Sequence, residues 1–292
     1  MSEMTELGVS RHVVQRAVTS GQLIRLRRNV VALAEVWNPA PPWERQALLA
    51  RGAARAWQRA PFALSHQSAL ALHGIPVHGV DQRVHVVRRG EGLCRSGPMT
   101  AIHPPVPGDH LRKVEDVWVV AAPLAVLQVA ATYGVESGLV SADALLRSET
   151  TDLARALEDF PRGNGLARAA QVVSMADARI ESVGESRCRW AMRVAGLPEP
   201  ELQVWIRDGS FSARVDFLLA DQWVIIEFDG MAKYQSPADL RAEKIREDRL
   251  RTLGYEVVRL TWKDLDDAPA IRALVCAAMA RSAARSHRLH HS

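Results

Sequence analysis

"RVDFLLADQWVIIEFDGMAKY", residues 214–234, decides how this chain is read. Two apolar runs flank a polar break at Asp221-Gln222, the pattern of a β-hairpin. With those two residues as the turn, Asp216 falls opposite Glu227. Directly opposed residues of an antiparallel pair share a face, with Cβ atoms about 4.5–5.5 Å apart. Asp229 lies two residues beyond Glu227 and joins that face. Three carboxylates thus gather beside Val224, Ile225 and Ile226. Opposed like charges destabilise a sheet, and partial burial pushes a proton onto one of them. A divalent cation removes the conflict. Mg2+ takes oxygen ligands and needs one or two carboxylates, with water and substrate phosphate completing its shell. A register one residue out would send the acids to opposite faces, and a wet acidic face is the other alternative. The apolar character of both strands favours the metal reading, with Mg2+ or Mn2+ as the expected ion.

The flanks extend the pattern. Lys233 follows Asp229 by four residues, and a lysine beside metal-bound carboxylates can orient an attacking water. Upstream, "ESVGESRCRWAMRVAGLP" reads as a helix from Ser182. Glu185 stands three residues after Ser182, the spacing of a capping box, and the same carboxylate can stand at the edge of a metal site. Downstream, "LRAEKIREDRLRTLG" is a helix ended by Gly254, and "YEVVRLTW" is a strand. The expected order is helix, strand, strand, helix, strand.

At 292 residues, 48% hydrophobic and 24% charged, the chain is ordinary globular material with a net charge of +4. No apolar run reaches the roughly 18 residues of a membrane span, and "MSEMTELGVSRHVV" lacks a basic-then-apolar leader pattern, so a cytoplasmic location is expected. Cys94, Cys188 and Cys276 are far apart and form no metal spacing. Nearly all the basic residues are arginine, and they crowd residues 11–28 and 241–259, where guanidinium groups suit phosphate.

Residues 9–20 read as a short helix capped by Ser10 and ended by Gly21. "LIRLRRNVVAL", residues 23–33, alternates like a strand pair. A short polar helix before a basic hairpin is the layout of a winged helix. The helix would carry Arg11, Gln15 and Arg16 into a groove, and Arg25, Arg27 and Arg28 of the wing would meet phosphates. An amphipathic helix packed on a strand, with solvated arginines, remains the alternative. Between a Pro-rich break at 37–43 and residue 160 the pattern is mixed helix and strand. His66, His73, His78, His85 and His103 are irregularly spaced there, without recurring acidic or Cys partners, and read as packing and surface histidines. The end, "RSAARSHRLHHS", is polar and basic and is expected to fray. The expected segments are 1–40, 41–160 and 170–285, in an α/β (α+β) chain.

Residues 181–266 resemble the very-short-patch-repair-like branch of the PD-(D/E)XK nucleases. The likeness rests on Glu185, "VDF" at 215–217, "EFDG" at 227–230, Lys233 and "REDRLRTLGYEVVRLTW" at 246–262. It implies a restriction-endonuclease-like mixed sheet flanked by helices. It also implies a metal held by Asp216, Glu227 and Glu185, with Lys233 or Asp229 acting on the water. Arginines of 241–251, Arg246 and Arg249 among them, would track a DNA backbone. Lys233 stands where relatives commonly carry histidine, and Asp229 where the wider superfamily places lysine. The N-terminal "LGVSRHVVQRAVTSGQLIRLRRNVVAL" and "LSHQSALALHGI" are similar to the winged-helix domain of abortive-infection (AbiEi-like) type IV antitoxins, with Asn29 in place of a usual glycine. That likeness implies a transcriptional regulator bound to double-stranded DNA. Its partner would be a nucleotidyltransferase-like toxin encoded nearby, and a homodimer is compatible with it. Three functions follow: an antitoxin-like regulator, a Mg2+-dependent DNA endonuclease targeted by its N-terminal domain, or a protein-interaction antitoxin with a degenerate nuclease fold.

Overall fold

The computed structural model describes residues 4, 6–57, 61–90, 96–230 and 237–289. The chain is α+β and divides into two compact units, Met1–Ala176 and Asp177–Ser292. The segments expected at 1–40 and 41–160 therefore belong to one unit.

The first unit opens with α1 (Arg11–Thr19), whose N-cap Ser10 accepts a hydrogen bond from Val13 N–H at 3.3 Å. A two-stranded hairpin follows, β1 (Leu23–Arg27) against β2 (Val30–Leu33). Asn29 turns it at φ 65°, a left-handed conformation that Asn tolerates among non-glycine residues. Then come α2 (Ala34–Trp37), α3 (Pro42–Ala56), β3 (Phe62–Leu64), α4 (His66–Leu72), β4 (Val84–Arg88), β5 (Thr100–His103), β6 (Leu111–Val114) and β7 (Val117–Val120). The unit closes with α5 (Ala122–Tyr133), α6 (Val135–Ser148), α7 (Leu153–Glu158) and α8 (Leu166–Met175). Five strands form one mixed sheet in the order β5-β4-β3-β7-β6. Its centre is β3, a strand of three residues just ahead of α4. α5 is buried along most of its length and forms the floor of this core.

In the second unit α9 (Val183–Val194) precedes β8 (Glu201–Asp208), β9 (Phe211–Leu219), β10 (Val224–Phe228), α10 (Pro237–Thr252), β11 (Glu256–Leu260) and α11 (Ala268–Leu289). The sheet order is β11-β10-β9-β8, with β10 and β11 parallel across the α10 crossover. Two elements depart from expectation. β8 is an additional strand, its ends marked by exposed Glu201, Arg207 and Asp208. The polar end that was expected to fray is helical to Leu289, because Arg281 and Arg285 both reach the buried Glu256 and Ser282 is buried.

The hairpin register is Val224 to Leu219, Ile225 to Leu218 and Ile226 to Phe217. Continued by one residue, it sets Glu227 opposite Asp216. The connection is longer than two residues: Ala220–Gln222 make a 3-10 turn and Trp223 takes φ 53°. Phe217, Leu219, Val224, Ile226 and Phe228 pack with Met192 and Ile271 on one face. Leu218 and Ile225 pack with Leu250 and Val257 on the other. By alternation the acids keep company with Ile225, whereas Val224 and Ile226 point away from them.

Candidate carboxylate site and nucleic-acid interface

The acids stand on three elements. Glu185 lies in the first turn of α9, where Ser182 Oγ accepts from its backbone N–H at 3.1 Å. Its own carboxylate accepts from Ser182 Oγ (2.8 Å), Glu181 N–H (3.0 Å) and Gln203 Nε2 (2.9 Å). The capping box is thus formed, and Glu185 is buried by it. Asp216 stands on β9 and accepts from Phe228 N–H at 2.9 Å, carrying the ladder past the last backbone pair. Opposite it, Gln203 of β8 holds φ 55°. Val204 and Val215 pack into the Leu250 face while Leu202 and Phe217 pack into the other, so the two strands change sides at Gln203 and Asp216. Burial pushes the Glu185 and Glu227 carboxyls above the usual range, and the charge of Asp216 adds to both.

Arginine compensates Glu227. Arg246 Nη2 donates to both of its oxygens, at 2.7 and 2.8 Å, and also to Glu243 at 2.9 Å. Arg259 bridges Glu243 and Glu247 and stands 3.8 Å from Asp229. Arg249 is paired with Asp208. The arginines expected on a DNA backbone are therefore turned onto acids of their own unit. Mg2+ needs free carboxylate oxygens. Both oxygens of Glu227 are held by the Arg246 cation, so the set does not fit a Mg2+ centre while Arg246 stays. The described residues whose ligand atoms gather within 4.8 Å lie elsewhere: His66, His85 and His103, and the buried His110 with exposed Asp109 and Asp159. Lys233 lies outside the described residues.

At the N-terminus α1 and the hairpin share one basic concavity. Arg11, Gln15, Arg25, Arg28 and Asn29 line it, and no acid does among its described lining residues. Arg25 Nη2 donates to Gln15 Oε1 at 3.2 Å, tying hairpin to helix. Arg16 is exposed on α1. Arg27 points the other way. Its guanidinium lies 4.0 Å from the centre of the Trp57 ring and Nη2 donates to Thr100 Oγ1 at 3.4 Å. The strand register shifts between Arg25 and Arg27, and a bulge there separates two side chains that regular alternation would align.

Sequence reading passed over His66, His85 and His103. Strand pairing brings them together, and irregular spacing carries no trace of it. The usable signal was that His85 interrupts the apolar run of β4 and that His103 closes β5.

No family model matches the chain. Two proteins from two strains of Mycobacterium tuberculosis, each described as an uncharacterized protein, are 30% identical to it over 212 residues. The match covers 69% of this chain and 75% of each relative, which is longer than residues 1–176 and so draws on both units.

Proposed function

The chain belongs to the family of these two mycobacterial proteins, and from that premise we propose that it is a DNA-binding, antitoxin-like transcriptional regulator. It grips duplex DNA through α1 and the β1–β2 hairpin, and the nuclease-like second unit serves as scaffold. The observation that carries this reading is the contrast between its arginines. Arg246, Arg249, Arg251 and Arg259 are spent on acids of their own unit. Arg11, Arg25 and Arg28 surround a concavity with no acid among its described lining residues. Cations that already hold carboxylates release few phosphate counterions, and the exposed ones supply that term. A cytoplasmic location and a nucleotidyltransferase-like toxin partner are part of the same proposal.

The test is duplex binding by fluorescence anisotropy across a salt series. Affinity should fall steeply with salt, and Arg25→Ala should flatten the log–log slope by about one unit. Arg27→Ala and Arg249→Gln should leave the slope as it is. A slope indifferent to Arg25 sinks the assignment.

The charge of Asp216, which acts on both Glu185 and Glu227, favours a second reading, a divalent-metal-dependent DNA endonuclease. It requires Arg246 to leave Glu227 when DNA and metal arrive. Supercoiled plasmid incubated with Mg2+ or Mn2+ should then be nicked by wild type and not by Asp216→Asn. Equal nicking by both preparations, or none by either, removes this reading.

A further inference from the structure

His66 sits at the junction of β3 and α4, His85 within β4 and His103 at the end of β5, three neighbouring parts of one sheet. His85 Nδ1 and His103 Nε2 are 3.0 Å apart. The His66 ring stacks on His103 with centroids 4.0 Å apart. One ring nitrogen from each of the three lies within 4.8 Å of the other two. A tetrahedral Zn2+ with bonds of about 2.0–2.1 Å spaces its nitrogen ligands by about 3.3 Å. One edge of that triangle is already near this length, and side-chain shifts on the order of 1 Å close the others.

The opposite nitrogens are already held. His85 Nε2 faces Asp81 Oδ1 at 3.2 Å and the Tyr133 hydroxyl at 3.0 Å. Gln67 Nε2 donates to the same two oxygens, and Arg83 holds the other Asp81 oxygen at 2.7 Å. His66 Nδ1 faces Ser65 Oγ at 3.0 Å. A histidine donating from Nε2 to a carboxylate presents its Nδ1 lone pair inward, the outer-sphere relay that accompanies metal-bound imidazole. The contact between His85 and His103 then contains one proton, on His103 Nε2. Its transfer to the far nitrogen of the same ring frees a second lone pair. His66 is kept at φ 51°, with its N–H donated to the buried Gln128 side chain at 3.1 Å. Left-handed backbone at a non-glycine residue is strain that the surroundings must hold, and such strain clusters at functional sites. Burial lowers all three imidazoles, His103 to about 4; neighbouring imidazoles add to this at His66 and His103, whereas Asp81 works against it at His85.

We propose that His66, His85 and His103 form a Zn2+ site, each giving one ring nitrogen, with the fourth position open on the side of the half-exposed His103. Three neutral imidazoles suit Zn2+ over the oxygen-seeking Mg2+. The ion would tie β5, the edge strand of the sheet, to β4 and to the β3–α4 junction. Its binding free energy would become folding free energy of the first unit.

The experiment is a Co2+ titration of the chelator-treated full-length protein. His287, His290 and His291 are replaced by alanine in every sample, so that the histidine-rich end does not report. One equivalent of Co2+ should give the visible bands of a tetrahedral nitrogen-ligated ion, Zn2+ should displace it, and Zn2+ should raise Tm. His103→Ala should abolish the spectrum. Asp81→Asn keeps all three ligands and should weaken binding about 10- to 100-fold through the lost outer contact. Circular dichroism establishes that each variant is folded. Folded protein without a stoichiometric Co2+ spectrum overturns the assignment. So does a folded His103→Ala that keeps the spectrum, or an Asp81→Asn that binds as tightly as its parent.

Discussion

Glu227 is a buried carboxylate with both oxygens on a single guanidinium group. A charge-assisted pair at a buried carboxylate, here made by Nη2 alone, is stronger than a surface ion pair, and its loss is asymmetric. Removing one partner strands the other charge in a poor solvent. Arg246→Ala should therefore lower the unfolding free energy by on the order of 3 kcal/mol. Mn2+ should restore part of that loss if Asp216 and Glu227 can jointly take an ion. Urea titrations with and without Mn2+ measure both effects. A variant as stable as wild type would mean that Glu227 does not rely on Arg246. Arg27 teaches a related lesson from the other unit. It is flanked by exposed Arg25 and Arg28, yet it lies flat on Trp57, where ring contact and burial replace hydration.

At the scale of elements, the seat of α9 on the sheet depends on Gly184. A Cβ at that position would lie 1.9 Å from Cε1 of Phe228, whose ring packs edge-on to Trp262. No rotamer change of a methyl group relieves such a contact, so α9 must move and carry Glu185 with it. Gly184→Ala should cost about 1–3 kcal/mol by overpacking, read as a lower urea midpoint. Phe228→Leu in the same chain should recover part of the loss. An unchanged midpoint in Gly184→Ala would show that α9 shifts freely. The hairpin itself was readable in advance, since apolar runs around a polar break specify two strands and, through their register, the opposition of Asp216 and Glu227. β8 was not, because charged residues at its ends hide its apolar positions. The three residues of β3 were also hidden, because a central strand that short carries no period.

Across the whole molecule the decisive quantity is where charge is cancelled. A net charge of +4 on 292 residues says little about partners. The second unit cancels many of its arginines in pairs, among them Arg246 with Glu227, Arg259 with Glu243 and Arg285 with Glu256. The first unit also has such pairs, for example Arg51 with Glu115, but around α1 and the hairpin it keeps a basic concavity with no acid among the described lining residues. That partition is why phosphate contact is assigned to Arg11, Arg25 and Arg28, and why the salt dependence of Arg25→Ala and Arg249→Gln should differ. Among the described residues no helix is long and apolar enough to cross a membrane.

By itself the sequence determined the features that depend on neighbours along the chain. These are the Ser10 and Ser182 caps, the apolar strands β9 and β10, the helix that follows them before β11, and the α+β class they add up to. Local propensity and period suffice for these, because each is decided within a few residues. Only the tertiary structure decided which cation meets Glu227, which way Arg27 points, and that His66, His85 and His103 share one place. Each of these depends on residues brought together across strands or from distant helices. A strand bulge at Arg25–Arg27, the packing of α10 over the β10–β11 pair, and the pairing of β4 with β5 are long-range outcomes. They set side-chain neighbours that no spacing along the chain encodes.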